Sequence, residues 1–311
     1  MIKLKKDIST IKQEISDNLK AEKVKSLVLP GFEGVSLNDV AVKLREEIQK
    51  DALSVRAASV SFFFILALFP SIIFFFSLIP YLPVENFNVT LMNYLSRILP
   101  EGVYGVLEST IEDIVSIQRG GLTSLNFLLA LIFSSNGVSS MMQAFDKMNP
   151  TFVKRSFLQK KWVSFKITML LTFQFIAAII LVIFGEKSLR AILEYFNMTN
   201  DITFFLVVAL KYSFVLLTFF NTIALIYYFG PSVKKKYRYF SVGATFATIT
   251  LLLLSYALRV YFGAFSNFNQ LYGSLGIIIV VMLWVYINSF VLLFGFELNN
   301  SIAVNKALKK E

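Results

Sequence analysis

Apolar residues in this chain gather in long blocks with almost no charge, instead of recurring at the three-and-four spacing of a helix half-exposed to water. Ala57–Val84, Leu122–Phe145, Ile167–Gly185 and Tyr239–Leu258 are uncharged, and Ile202–Val233 holds the single charge Lys211. The uncharged stretch Val260–Phe296 is too long for one span and must contain a short loop followed by a helix from about Tyr272. A helix needs roughly 20 apolar residues to cross the hydrocarbon core, because each residue rises only about 1.5 Å. The pattern predicts an all-α fold: a polytopic six-transmembrane-helix bundle with amphipathic N-terminal and outer helices. Spans are expected at about 57–82, 122–145, 167–185, 204–230, 239–258 and 272–296. They form a membrane domain over residues 55–299, between a cytoplasmic N-terminal region (1–54) and a cytoplasmic tail (300–311).

Weaker periodicity marks the flanking pieces. Ile8, Ile11, Ile15 and Leu19 stand among lysines at helical spacing, which reads either as an amphipathic helix on the inner leaflet or as a solvated tail. Pro30-Gly31 ends that segment. A second helix is expected with Ser36 or Asn38 as its cap and Leu37, Val40, Leu44 and Ile48 as its apolar face. Between the first two spans, residues 83–121 suggest two short amphipathic helices split at Pro100, tinted negative by Glu85, Glu101, Glu108, Glu112 and Asp113. They either cover the mouth of a cavity or rest at the interface.

Charge fixes the expected orientation. Eleven Lys and Arg precede the first span, six lie in 146–166, four in 234–238 and three in the tail, whereas the alternate connections carry two, two and one. Because positive loops stay on the cytoplasmic side, this places both ends inside a bacterial inner membrane. The net charge of +10 then reads as contact with anionic lipid headgroups, not with nucleic acid. The chain has no Cys and no His, which removes thiol and imidazole catalysis and the usual zinc ligands. No compact apolar leader is visible in the first fifty residues, so the first span itself is expected to direct insertion. No cofactor and no metal are expected.

Polar groups inside the spans are the candidates for function, since in hydrocarbon each must face protein or water. Ser134, Ser135, Asn136, Gly137, Ser139, Ser140 and Gln143 crowd the end of the second span. They read as helix–helix glue, as the wall of an inward-facing cavity, or as both. Pro70 removes a backbone hydrogen bond in mid-span and is expected to kink the first helix. Lys211 either snorkels to the headgroups or pairs with an outer acid. Glu297 closes the sixth span, as a solvated helix end or paired with Arg155 or Lys154. Gly243–Ala247 and Ala57–Ser61 offer small-residue faces that suit an oligomer and internal packing equally.

Four stretches, in order, resemble the YihY/BrkB family of bacterial inner-membrane proteins, once labelled ribonuclease BN. They are RAASVSFFFILALFPSIIFFFSLIPYLP (56–83), with Pro70; SSNGVSSMMQAFDKMN (134–149), ending at Asn149 and followed by Arg155; YYFGP (227–231), ending at Pro231 and followed by a basic loop and Gly243-Ala244; and LYGSLGIIIVVMLWVYINSFVLLFGFELN (271–299). In the last, Tyr272, Gly273, Gly276, Trp284, Gly295 and Glu297 fall as in the family's closing helix. The sequence departs from the family pattern at Asp146 and Lys147 and at Phe296, and neither departure is expected to matter. The resemblance implies a six-helix membrane fold and an envelope role, with lipid or solute translocation as a candidate activity.

Two functions from different classes follow. One is translocation of a lipid or small anionic solute through an inward-opening cavity lined by Asn136 and Arg155, with 154–166 and 234–238 drawing the anion in. The other is an envelope scaffold that recruits partners through its N-terminal helices and outer amphipathic segment. A ribonuclease is disfavoured, because no His exists and no carboxylate cluster stands ready to hold a metal near a polar substrate.

Overall fold

The computed structural model describes residues 27–50, 52–77, 120–147, 151–195, 201–264 and 274–309. Among them are seven helices: α1 (Leu37–Lys50), α2 (Leu53–Ser77), α3 (Gly120–Phe145), α4 (Phe157–Tyr195), α5 (Asp201–Phe229), α6 (Val242–Ala264) and α7 (Ser274–Leu308). No strand is present among the described residues, only an isolated antiparallel bridge between Phe152 and Val233. Each uncharged stretch thus overlaps one of α2–α7. By length and composition, Phe127–Phe145, Tyr212–Phe229 and Ile279–Leu308 can each cross a membrane. A fourth span is reached if α1 and the first part of α2, bent by 68° at their junction, count together. The 83–121 segment and most of the N-terminal amphipathic stretch lie outside the described residues.

Local chemistry explains the helix starts. Ser36 Oγ accepts from the Asp39 amide at 3.1 Å, so Ser36, of the two expected caps, is the one used. Ahead of it the chain turns at Gly31, whose φ of +87° a side chain would strain, which is why Pro30-Gly31 breaks the segment. The Ser156 side chain accepts from the Gln159 amide while Gln159 accepts from the Ser156 amide, a reciprocal capping box that opens α4. Pro70 is buried within α2, which continues past it to Ser77.

The core lies where α2, α3, α5, α6 and α7 meet. Phe296 is its centre: it stacks on Phe145 at 4.5 Å between ring centroids and meets Phe152 and Tyr237 edge-on. A departure expected to be harmless is therefore a hub. The second shared surface is between α1 and α7, where Phe32, Val35 and Val40 pack against Leu298 and Ile302. Val40, Leu37, Leu44 and Ile48 form the apolar face as the spacing predicts. Two boundaries differ from expectation. Residues 27–50 pack on the bundle, and α7 runs unbroken through Asn299 to Leu308 with Asn300 and Ser301 fully buried, so the start of the tail is core while residues 307–309 are exposed. Outward, α4, α5 and α6 present Phe157, Trp162, Phe173, Tyr212, Leu253 and Tyr256, each more than 60% exposed. An apolar belt of this extent is a liability in water and normal in lipid.

Small residues set the helix spacing. A Cβ on Gly243 would overlap the Gly295 carbonyl oxygen and the Asn299 amide, so α6 and α7 cross backbone against backbone. Ala244, Ala247 and Ala57 are fully buried, so both small-residue faces are used inside the chain. At Gly137, by contrast, the nearest atom to an added Cβ is the Phe63 oxygen at 3.7 Å, an ordinary contact. Gly243→Ala should therefore destabilise the bundle by about 1–3 kcal/mol through overpacking. Gly137→Ala should be neutral or gain a few tenths of a kcal/mol from helix propensity. Thermal unfolding of both variants in detergent checks this contrast, and equal effects would show that α6 and α7 do not cross so closely.

Candidate functional site

Charges from four segments converge at one end of the bundle. Glu297, on the last third of α7, is fully buried. Its carboxylate pairs with Arg56 at the start of α2 (3.2 Å) and with Lys147 just after α3 (2.7 Å). Lys147 also reaches Glu47 on α1 at 2.8 Å, and Glu47 in turn pairs with Lys43 at 3.2 Å. The result is an alternating chain, Lys43–Glu47–Lys147–Glu297–Arg56, that ties α1, α2, α3 and α7 together. A carboxylate this deep is tolerable only when cations and donors replace its lost hydration. Glu297 is thus neither a solvated helix end nor the partner of Arg155 or Lys154. The second departure from the family pattern, Lys147, supplies one of its two cations. Beside this centre, Tyr237 Oη, both side-chain polar atoms of Asn300 and Ser301 Oγ are buried with no hydrogen-bond partner among the described residues. Burial, and then the Glu297 charge, push the Tyr237 phenol up, so it stays protonated and able to donate.

Arg155 is committed elsewhere. Its guanidinium donates to the carbonyls of Gly230 (2.7 Å), Pro231 (3.1 Å) and Phe229 (3.3 Å). These are the unsatisfied carbonyls at the C-terminus of α5, where a cation also meets the negative end of the helix dipole. Arg155 and Pro231 are brought together as a cap, not as the wall of a vestibule. Burial pulls the Arg155 guanidinium down, partly offset by Asp146, and it remains charged. Asp146 itself accepts from Ser232 (2.9 Å) and pairs with Lys160 (2.5 Å).

The polar end of α3 is satisfied by α2 and α4. Ser135 faces Ser164, Ser140 faces Ser59, and Asn136 Oδ1 accepts from Lys161 at 2.8 Å. Gln174 donates to the Thr218 carbonyl and to Thr222, and accepts from Asn221, which also accepts from the Tyr239 hydroxyl. Trp284 is 43% exposed on α7, and Gly276 lies in the first turn of that helix. Asn149, Tyr272 and Gly273 are outside the described residues, as is the side chain of Lys211.

The loops 151–156 and 230–241 are pinned to each other by the Phe152–Val233 bridge, with Val153 donating to Ser232 (2.7 Å) and Lys234 to Thr151 (2.8 Å). Asn299 on α7 accepts from the Gly243 amide and donates to Ser241, fixing the start of α6. Together these segments frame an open cavity of about 790 Å³ between the 233–242 loop and the end of α7.

The motifs that shape this end are those read as a resemblance: RAASV contributes Arg56, YYFGP the capped carbonyls, and FELN both Glu297 and Asn299. A family model described as virulence factor BrkB matches residues 44–311. The chain belongs to this family. Several of its relatives are membrane proteins by description. A UPF0761 membrane protein of Vibrio campbellii is 24% identical over 267 residues, covering 83% of this chain and 80% of its own length. One of Stenotrophomonas maltophilia (strain K279a) is 24% identical over 262 residues, with 81% of this chain but only 58% of that protein covered. A protein of Bacillus subtilis named ribonuclease-like, YfkH, is 27% identical over 256 residues, or 82% and 92% of the two chains. No solved structure matches the chain.

Arg56, Glu47, Tyr237 and Asn300 are members of the centre that sequence reading did not single out, and Lys147 was noted only as a departure from the family pattern. Arg56 and Lys147 did carry a signal, as charged residues abutting apolar blocks, but were counted there as markers of orientation. Removing one partner of a buried pair strands the others, so Glu297→Ala should cost about 3–5 kcal/mol in chemical unfolding in detergent. A loss under about 1 kcal/mol would mean that water already reaches the carboxylate. Glu47 adds a pH signature. Burial acts to raise its pKa, but hydrogen bonds from Lys147 and Lys43 outweigh this and hold it below the ordinary 4.5. Its contribution is present above that ordinary value and is lost as pH falls through the lowered one. The gap in unfolding temperature between wild type and Glu47→Gln should be open at neutral pH and close in acid.

Proposed function

We propose that this BrkB-family protein is a six-span inner-membrane protein, with both ends in the cytoplasm, that translocates a lipid or small anionic solute. The observation that supports this most directly is the buried Glu297 centre. An ionisable residue in a strongly apolar helix, balanced by cations from two other segments, is rarely retained for stability alone, since well-packed apolar residues do as well. It suits a switch: parting α7 from α1–α3 exposes Glu297, Arg56 and Lys147 together and opens the charged end of the bundle to its cargo.

Orientation follows the positive-inside pattern, and the described Lys- and Arg-rich segments meet at a single end through Lys147–Glu47, Arg56–Glu297, the Phe152–Val233 bridge and Lys306–Glu33. The scaffold alternative recruits partners through the N-terminal helices and the outer 83–121 segment; of these, α1 packs on α7, and residues 1–26 and 83–119 lie outside the described residues. Of the N-terminal part, only residues 1–26 could be trimmed to test it. We read the protein as non-enzymatic, including with respect to the ribonuclease-like name of YfkH: it has no His, and no group of metal-binding side chains occurs among the described residues.

Because the chain contains no Cys, orientation is directly testable. A cysteine introduced as Ser109→Cys should react with an impermeant maleimide in intact cells, and Lys154→Cys should react only after lysis. Transport is tested by reconstituting the full chain in liposomes with a fluorescent anionic lipid and following its accessibility to a membrane-impermeant quencher. Wild type should exchange the lipid between leaflets, and Glu297→Gln should slow exchange about tenfold, as a shift of about 1.4 kcal/mol in the switch would. Vesicles with and without protein that behave alike, for the lipid and for an entrapped fluorescent anion, would overturn the reading.

A further inference from the structure

The open cavity beside the start of α6 is a place where the translocator reading acquires a chemistry. Five cations line it: Lys234, Lys235, Lys236, Arg238 and Lys306. Lys306 is neutralised by Glu33, the one acid in the lining. Lys236 sits over the rings of Tyr228 and Phe229, at 4.3 and 4.7 Å from their centroids. Lys234, Lys235 and Arg238 make no ion pair among the described residues. Four cations within five residues repel one another, and an unanchored loop would relax by swinging them apart. This loop cannot relax freely. The bridge to Phe152 holds one side, the Tyr237 side chain is buried between the cations, and Ser241 is fixed by Asn299.

The uncharged part of the wall is mixed: Thr151, Ser241 and Asn299 contribute polar groups, and Val242, Ile302, Ala303 and Phe240 an apolar patch. Fixed cations beside an apolar patch match a molecule with both characters. A volume of about 790 Å³ lies in the range of small-ligand sites. Tyr237 also contributes to the lining, and because its side chain is more than nine-tenths buried it anchors the loop between the cations.

We propose that this cavity binds the phosphate group of an anionic membrane lipid, with Lys234, Lys235 and Arg238 on the phosphate and Val242, Ile302 and Ala303 against the first part of the lipid's apolar body. The inference rests on the membrane placement above but not on movement of the lipid, so it is tested by binding in detergent, where no transport is measured.

The full chain, purified in a neutral detergent, is titrated with phosphatidylglycerol or phosphatidylcholine, and bound lipid is read by native mass spectrometry. Phosphatidylglycerol should be retained at least about tenfold better. The triple variant Lys234→Gln/Lys235→Gln/Arg238→Gln should lose that preference. A charge-matched control, Arg45→Gln/Lys50→Gln/Lys166→Gln, removes exposed cations that do not line the cavity and should keep it. Unfolding temperatures of both variants verify that they are folded. Equal retention of the two lipids, or equal loss in both variants, would overturn the site by reducing it to diffuse charge. Inorganic phosphate is the third probe. Saturation by phosphate that depends on the same three residues, without lipid preference, would overturn the lipid in favour of a soluble phosphate. A folded triple variant that has lost lipid preference but still moves lipid in liposomes would leave translocation standing and place its route elsewhere.

Discussion

The organisation of this protein depends on how one buried carboxylate is neutralised. Glu297 lies inside the longest run of apolar helix, where water cannot solvate it, and Coulomb attraction at low dielectric must replace that solvation. Two cations answer the demand, Arg56 and Lys147, and they come from segments far apart in sequence. Meeting it requires that the start of α2, the end of α3 and the last third of α7 occupy one place. Once Lys147 is there, Glu47 follows, and α1 is drawn against α7, where Val35 and Val40 bury against Leu298 and Ile302. The aromatic hub at Phe296, adjacent in sequence to Glu297, packs the same junction from the other side.

Around that junction the polar chemistry is divided between two tasks. Arg155, Asn299 and Ser241 serve the backbone: they satisfy carbonyls at the end of α5 and amides at the start of α6, which an apolar environment makes costly to leave unpaired. Lys234, Lys235 and Arg238 are held by that same scaffolding without carboxylate partners among the described residues. A loop fixed at both ends keeps like charges together where a mobile one would disperse them. That division separates the residues that hold the site from those facing its cavity, although in sequence they alternate within a few positions.

Much of the architecture was legible in advance. The uncharged blocks overlap α2–α7, the apolar face of α1 was readable from Leu37, Val40, Leu44 and Ile48, and the family followed from four short motifs. Glu297 stood out because a lone acid beside so apolar a stretch is costly. Its partners did not: Arg56 and Lys147 have the same appearance as any lysine or arginine that marks the inner side of a span, and nothing local distinguishes a headgroup contact from an ion pair. Arg155 shows the converse. Its place after a polar helix implied a cavity, yet its guanidinium caps three carbonyls at the C-terminus of α5, which only folding brings near.

By itself, then, the sequence determined which segments are helical, which are greasy enough to seek lipid, and where positive charge accumulates, because these depend on composition over a local window and on the solvent each segment can tolerate. Only the tertiary structure decided which charges neutralise one another, which small residues mark a backbone crossing, as Gly243 does and Gly137 does not, and which cations are left facing a cavity. Those outcomes depend on distances across the bundle, and a pair interaction that falls from dominant to negligible within a few ångströms has no counterpart in residue order.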